Sequence, residues 1–182
     1  MIDQYSNFDW CLETYNASKP FIHNYRTAVD VGCRRGEYTI PLLIDFKKIY
    51  AFDYRPSMTI ESKKLIYHQI ALGDKDIKVK ANAGVIVEDG KLVVQQKKLD
   101  DYHLLDVDYI KVDVEGHELK VLKCAINTIE RCNPLIVIEE NGSQELWKKG
   151  IKNDALNYLL SIGYKVVKKM KLPNPLDIIL TR

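Results

Sequence analysis

The sequence predicts an α/β fold built on a mainly parallel sheet, with an antiparallel hairpin toward the C-terminus and a small antiparallel insertion. Three observations predict it. Short apolar runs that stop at Gly or Asp alternate with stretches of helical spacing, the pattern of strand–helix–strand units with right-handed crossovers. Residues 77–97 break that rhythm with closely spaced β-branched runs. Two strand-like runs, 164–167 and 177–180, then follow one another with no helical pattern between them.

Taken in order, residues 7–18 read as a lead-in helix, with Phe8, Cys11, Leu12 and Tyr15 sharing one face and Pro20 ending it. Residues 27–31 (Thr-Ala-Val-Asp-Val) are a buried strand stopped by Gly32. A helix is expected over 37–46, with Ile40, Leu43 and Ile44 inward. Residues 48–52 form a second strand ending at Asp53, and a short helix is expected over 57–65. A third strand is read at 67–72. In the insertion, Asn82/Gly84 and Asp89-Gly90 separate the runs 77–79, 85–87 and 92–94. Asp-Gly between β-branched runs is a hairpin signal. A fourth core strand covers 109–114, a helix 117–131 with Leu119, Leu122, Ile126 and Ile129 on one side, and a fifth strand 135–138. A helix at 154–162 precedes the two final strands, which lie around Pro173 and Pro175.

The 182 residues suit one domain, with 1–26 as a helical lead-in. A hydrophobic share of 46% and a charged share of 29% exclude a disordered chain. The formal charge of +2, from 27 basic and 25 acidic side chains, is too balanced to imply a nucleic-acid partner. Lysine clusters at 63–64, 97–98, 148–149 and 165–171 read as solvated faces. Residues 1–10 are polar and carry Asp3 and Asp9, unlike a signal peptide, and no apolar run is long enough for a membrane span. The four cysteines form no CxxC pair or zinc pattern, so reduced thiols and a cytoplasmic location are expected.

Chemistry concentrates at three strand ends. Asp30-Val-Gly32-Cys-Arg-Arg-Gly36 lies between a strand and a helix. Gly32 permits a tight turn and close backbone approach, Gly36 eases the loop into the helix, and the helix start offers N–H groups to an anion. Asp30 can receive an ammonium group. Asp53 ends the next strand, 21 positions after Gly32, where a Rossmann-type site binds a ribose diol. Asp113-Val-Glu115-Gly-His117-Glu118 ends the fourth strand. Acids and an imidazole at such an end are costly unless solvated, paired or used. Glu118 serves equally well as a helix-capping acid.

Four segments in register carry a family resemblance: Val29-Asp-Val-Gly32-x-x-x-Gly36-x-Tyr38-Thr39, Ala51-Phe-Asp53, Ala71-Leu-Gly-Asp74, and Ile110-Lys-Val-Asp-Val-Glu-Gly116-x-Glu118-x-x-Val121-Leu-Lys123. The sequence resembles the FkbM-type methyltransferases over about residues 27–140, most specifically in the Asp-Val-Glu-Gly-His-Glu segment. The resemblance implies a Rossmann-like methyltransferase fold that uses S-adenosylmethionine (SAM), usually to methylate oxygen. It places Asp30, Gly32 and Gly36 at the methionine end of SAM, Asp53 at the ribose, and Ala71 and Leu72 beside the adenine. It places Asp113, Glu115 and His117 on the acceptor side, and topology brings Glu139 to the same crevice. Asp113, Glu115, His117 and Glu139 are thus the candidate catalytic residues. A divalent metal held by Asp113, Glu115 or Glu139 is an alternative way to activate a hydroxyl; the spacing identifies no metal ligand set.

Two departures stand out. Arg34 replaces the family's small or amide residue, and Asp53-Tyr54 replaces its usual Glu-Pro. The guanidiniums of Arg34 and Arg35 leave three options open: they point outward, bind an acidic acceptor, or weaken cofactor binding. The leading expectation is O-methylation of a small molecule, sugar or glycan. Its rivals are a non-catalytic binding or regulatory module on the same fold, and an RNA methyltransferase encouraged only by the 165–171 lysines.

Overall fold

The computed structural model describes residues 6–82, 85–139, 154–170 and 177–182. The expectations for Gly84, Lys148–Lys149, Lys171, Pro173 and Pro175 lie outside them. A seven-stranded sheet forms the centre. Its strands are β1 (Thr27–Val31), β2 (Lys48–Phe52), β3 (Leu65–His68), β8 (Val107–Val112), β9 (Leu135–Glu139), β10 (Lys165–Lys169) and β11 (Asp177–Thr181). Their order is β3-β2-β1-β8-β9-β11-β10. The pairs from β3 through β9 are parallel, and β11 runs antiparallel to both β9 and β10. The expected mainly parallel sheet with an antiparallel pair at its end is therefore present.

Every residue of β1 and β9 is buried, which is why these strands read as continuous apolar runs. Alternation sends neighbouring residues to opposite faces. Val29, Val31, Ile110, Val112, Ile136 and Ile138 pack on one face with α3 (Glu118–Cys124), α4 (Ile126–Cys132) and α5 (Asp154–Ser161). Ala28, Tyr109, Leu135 and Val137 pack on the other, beneath α1 (Ser6–Ser18) and α2 (Thr39–Asp45). A second sheet, ordered β4-β7-β5-β6, consists of β4 (Ala71–Leu72), β5 (Ile77–Asn82), β6 (Val85–Ile86) and β7 (Leu92–Lys97).

Five local expectations are corrected. Helix α2 turns Tyr38, Leu42 and Phe46 inward, whereas Ile40 and Ile44 are 39% and 63% exposed. The i, i+4 stripe that meets α1 and the sheet starts two residues earlier than the expected one. No helix forms over 57–65. That segment is held across the loops instead, with Ser57 Oγ donating to the Arg34 carbonyl and Met58 and Ile60 lying against Gly36. The expected third strand divides: β3 stays in the main sheet, the chain turns where Ile70 N donates to the His68 carbonyl, and β4 joins β7. In the insertion, β6 and β7 do not pair with each other but flank β5 on opposite sides. The Asp89-Gly90 turn crosses over β5, with Gly90 pressed so closely on the Ala81 backbone that a Cβ there would fall 2.4 Å from its nitrogen. Finally, the helix expected over 117–131 breaks at Ala125 into α3 and α4.

Candidate functional site

The strand order reverses direction between β1 and β8: β2 and β3 lie to one side, β9 and β11 to the other. In open α/β sheets ligands bind beyond the carboxyl ends of the strands at such a switch point. Two cavities open there. The larger, about 280 Å³, is lined among others by Trp10, Asp30, Tyr38, Lys111, Asp113 and Glu139. The smaller, about 40 Å³, lies among Phe52, Asp53, Arg55, Ala71, Leu72 and Val114. Gly32, Asp113 and Glu115 line both.

Strand alternation builds the larger cavity. Asp30, Lys111 and Glu139 occupy the positions of β1, β8 and β9 that face α1 and α2, and Asp177 does so at the start of β11. Asp30 accepts a 2.6 Å hydrogen bond from Thr39 Oγ1. Burial pushes its carboxyl up to about 7, against the lowering effects of Thr39 and Lys111. Lys111 donates to Asp177 Oδ1 at 2.8 Å and stands 3.7 Å from Asp113 Oδ2, and Thr14 Oγ1 holds the other Asp177 oxygen at 2.8 Å. Burial alone would lower the Lys111 ammonium, but Asp177, Asp113 and Glu139 outweigh it and hold it well above its ordinary value. Burial and the neighbouring Asp113 push Glu139 up to about 10.

The glycine loop is shaped by backbone packing. Gly32 has φ +87°, and a Cβ there would stand 1.7 Å from the Asp113 carbonyl oxygen. Only glycine therefore lets the β1 loop meet the end of β8. Gly36, at φ +98°, abuts Ile60 Cδ1 and Met58 Sδ, so residues 58–60 cover it. Arg34 and Glu115 both adopt φ +53°, a sparsely populated conformation for residues with a side chain. The Arg34 and Arg35 side chains are exposed. What Arg34 contributes inside the loop is its backbone N–H, donated to Asp53 Oδ2 at 2.9 Å.

Asp53 is saturated. Its Oδ1 accepts from Arg55 N at 2.8 Å and Arg55 Nε at 2.9 Å, and its Oδ2 accepts from Arg34 N and, at 2.7 Å, from Arg55 Nη2. Tyr67 OH secures the Arg55 carbonyl at 2.6 Å. The guanidinium thus presents two parallel donors to the carboxylate.

The structure brings Asp30, Gly32, Asp113, Glu115 and Glu139 to one cavity and Asp53, Ala71 and Leu72 to the other. His117 lines neither. It is buried 3.3 Å from Gln96 Oε1, and burial lowers its pKa to about 4. Glu118 accepts from the Val114 and Gly116 N–H groups and so ties the turn after β8. Three residues of this region carried no assignment from sequence: Lys111, Arg55 and Asp177. A lysine inside the apolar run Tyr109-Ile-Lys-Val is a visible signal, since buried lysines need partners. Arg55 and Asp177 carry no comparable mark.

The model of the methyltransferase FkbM domain family matches residues 67–166. Solved structures share the fold at low identity. An FkbM methyltransferase from Methylobacillus flagellatus KT is 22% identical with a TM-score of 0.64, covering 86% of this chain and 44% of its own. This chain therefore spans less than half the length of that protein. The N-methyltransferase NodS from Bradyrhizobium japonicum WM9 is 10% identical with a TM-score of 0.61, covering 100% and 98%. An rRNA methylase from Streptococcus thermophilus is 16% identical with a TM-score of 0.53, covering 100% and 98%. Curated proteins give no match to the sequence. The family model spans more than half of the chain and the fold agrees with it: this chain belongs to the FkbM methyltransferase domain family.

Proposed function

We propose that the chain is a SAM-dependent methyltransferase acting on a hydroxyl of a small molecule, sugar or glycan. The observation that carries this reading is the convergence of Asp30, the Gly32 loop, Asp53 and Asp113 on two adjoining cavities at the switch point of the sheet. In this reading Asp30 and the loop after β1 take the methionine end of SAM. Asp53 takes the ribose, and Ala71 and Leu72 flank the adenine. The acceptor enters beside Asp113, Glu115 and Glu139. Methyl transfer is an in-line displacement at carbon: the acceptor oxygen bonds to the methyl group, the sulfur keeps the electron pair, and the hydroxyl proton must leave. Asp113, half-buried at the cavity wall, is the group that receives it, since His117 faces Gln96. Alignment and water exclusion supply the rest of the rate.

One observation favours a second reading, a non-catalytic module: Arg55 already occupies Asp53, and the cavity beside it holds only about 40 Å³, far less than the roughly 300 Å³ of a small ligand pocket. Exposed Lys165, Lys168 and Lys169 on β10 give an RNA acceptor weaker support. No helix among the described residues is long and apolar enough to cross a membrane.

Calorimetric titration of SAM into the parent and into Asp53→Ala separates these readings. Saturable binding that weakens at least about tenfold in the variant, or about 1.4 kcal/mol, is the expected result. A folded parent that takes up no SAM refutes the enzyme reading.

A further inference from the structure

We propose that Asp113, Glu115 and Glu139 form a binding site for one hard divalent cation of the Mg²⁺ or Mn²⁺ class. One carboxylate oxygen of each lies within 4.8 Å of those of the others. Oxygens at about 2.0–2.6 Å from a common ion stand up to about 4–5 Å apart, the shorter span applying to Mg²⁺, so small side-chain rotations bring the three onto one ion. They come from two elements fixed by the sheet: Asp113 and Glu115 follow β8, and Glu139 ends the adjacent parallel strand β9.

The independent observation is an orphaned atom. Glu139 is only 7% exposed, and its Oε2, shielded from solvent, meets no donor among the described residues; the side chain that faces its carboxyl is Asp113, another acid. A buried carboxyl oxygen without a donor is costly, and Glu139 lines the same cavity as Asp113 and Glu115. The cations nearby are engaged elsewhere. Lys111 is drawn to Asp177 at 2.8 Å and reaches Asp113 only at 3.7 Å. Arg55 is bidentate on Asp53. The three carboxyls thus crowd one another, and among the described residues the ion pair found for them is that of Lys111 with Asp113 at 3.7 Å.

The donor set selects the metal. All three ligands are carboxylate oxygens, with no imidazole or thiolate among them, which suits a hard ion over zinc or copper. Three protein oxygens leave coordination positions open toward the cavity. The ion's role there rests on the methyltransferase reading: it would hold the acceptor oxygen and ease loss of its proton. The site itself does not depend on that reading.

The test is Mn²⁺ titration of chelator-treated protein, followed by loss of the free-ion paramagnetic signal, in the parent, Glu139→Gln and Glu115→Gln. Glu115 is exposed, so its variant does not disturb the core even if Glu139→Gln folds poorly. The expected result is one saturable Mn²⁺ per chain, weakened at least tenfold by either substitution, with Mn²⁺ raising the melting temperature of the parent only. No saturable uptake at millimolar Mn²⁺, or uptake unchanged in Glu115→Gln, overturns the proposal. SAM titration in the presence of chelator is read separately. SAM binding without Mn²⁺ uptake removes the metal and leaves the enzyme reading; Mn²⁺ uptake without SAM binding does the reverse.

Discussion

Asp53 accepts four hydrogen bonds, two of them from one guanidinium, and that arrangement has a kinetic and an equilibrium side. If Asp53 takes the ribose of SAM, as proposed, the diol must exchange with Arg55 before it reaches the carboxylate. The pair is partly exposed at Arg55, 32% by side chain, so water can receive the displaced guanidinium. Arg55→Ala should therefore tighten SAM binding about three- to tenfold by calorimetry, an exchange of order 1 kcal/mol for a partly exposed pair. Weaker binding in that variant would instead mean that Arg55 contacts the bound ligand. Asp30 makes a different prediction. Its folded pKa of about 7 stands above the ordinary 3.8. Between those values the folded chain holds a proton that the unfolded chain has lost, so this contribution is complete below about pH 4 and fades as pH rises through 7. In urea melts at pH 4.5 and 7.5, Asp30→Asn should gain on the parent at the higher pH, by a few kcal/mol in order of magnitude. An equal difference at both pH values would contradict it.

At the scale of elements, the break between α3 and α4 shows why some boundaries were not legible. Residues 117–131 have unbroken helical spacing and no Gly or Pro beyond Gly116. The start of α4 is nevertheless capped from outside. Asp100, in the 3₁₀ turn Leu99–Tyr102, accepts from Asn127 N at 3.0 Å and from Thr128 N and Oγ1 at 2.8 and 2.7 Å. A cap supplied from 27 residues away leaves no trace in the local pattern that helix signals depend on. Asp100→Ala should destabilise the protein by about 1–2 kcal/mol, read as a lower urea midpoint with unchanged slope. Residues 77–97 do form a small antiparallel sheet, but its strand pairing was not legible for a related reason: Asp89-Gly90 is a turn, and contact with Ala81 decides which strands it joins. Residues 57–65 lost their helix to partners on the glycine loop. Periodicity reports burial within an element and is silent about who supplies its hydrogen bonds.

At the scale of the molecule, the alternation of strands and helices was legible because the central parallel strands β1 and β9 are buried on both faces and each crossover must cover one face of the sheet. The candidate site was legible where an acid or glycine ends a strand, at Asp30, Gly32, Asp53 and Asp113. It was not legible where function depends on distant pairing. Lys111 and Asp177 are 66 residues apart and form a fully buried pair that Thr14 completes from α1. That one carboxylate joins the first helix, the central strand β8 and the strand β11. Lys111→Met should cost about 3–5 kcal/mol by leaving Asp177 buried without its counter-ion. Lys111→Met with Asp177→Asn should recover a substantial part, which a double-mutant cycle in urea would measure.

The sheet order also bears on how the chain assembles as it emerges from a ribosome. β11 follows β10 in sequence yet lies between β9 and β10, so β10 cannot dock until later-synthesised residues are available. Until then β9 presents an open edge on a strand that is apolar up to Glu139, and Lys111 lacks its carboxylate partner. A nascent chain paused at that stage carries an unpaired strand edge of the kind that recruits chaperones or another copy of itself, and insertion of a single strand closes the edge and neutralises the lysine together.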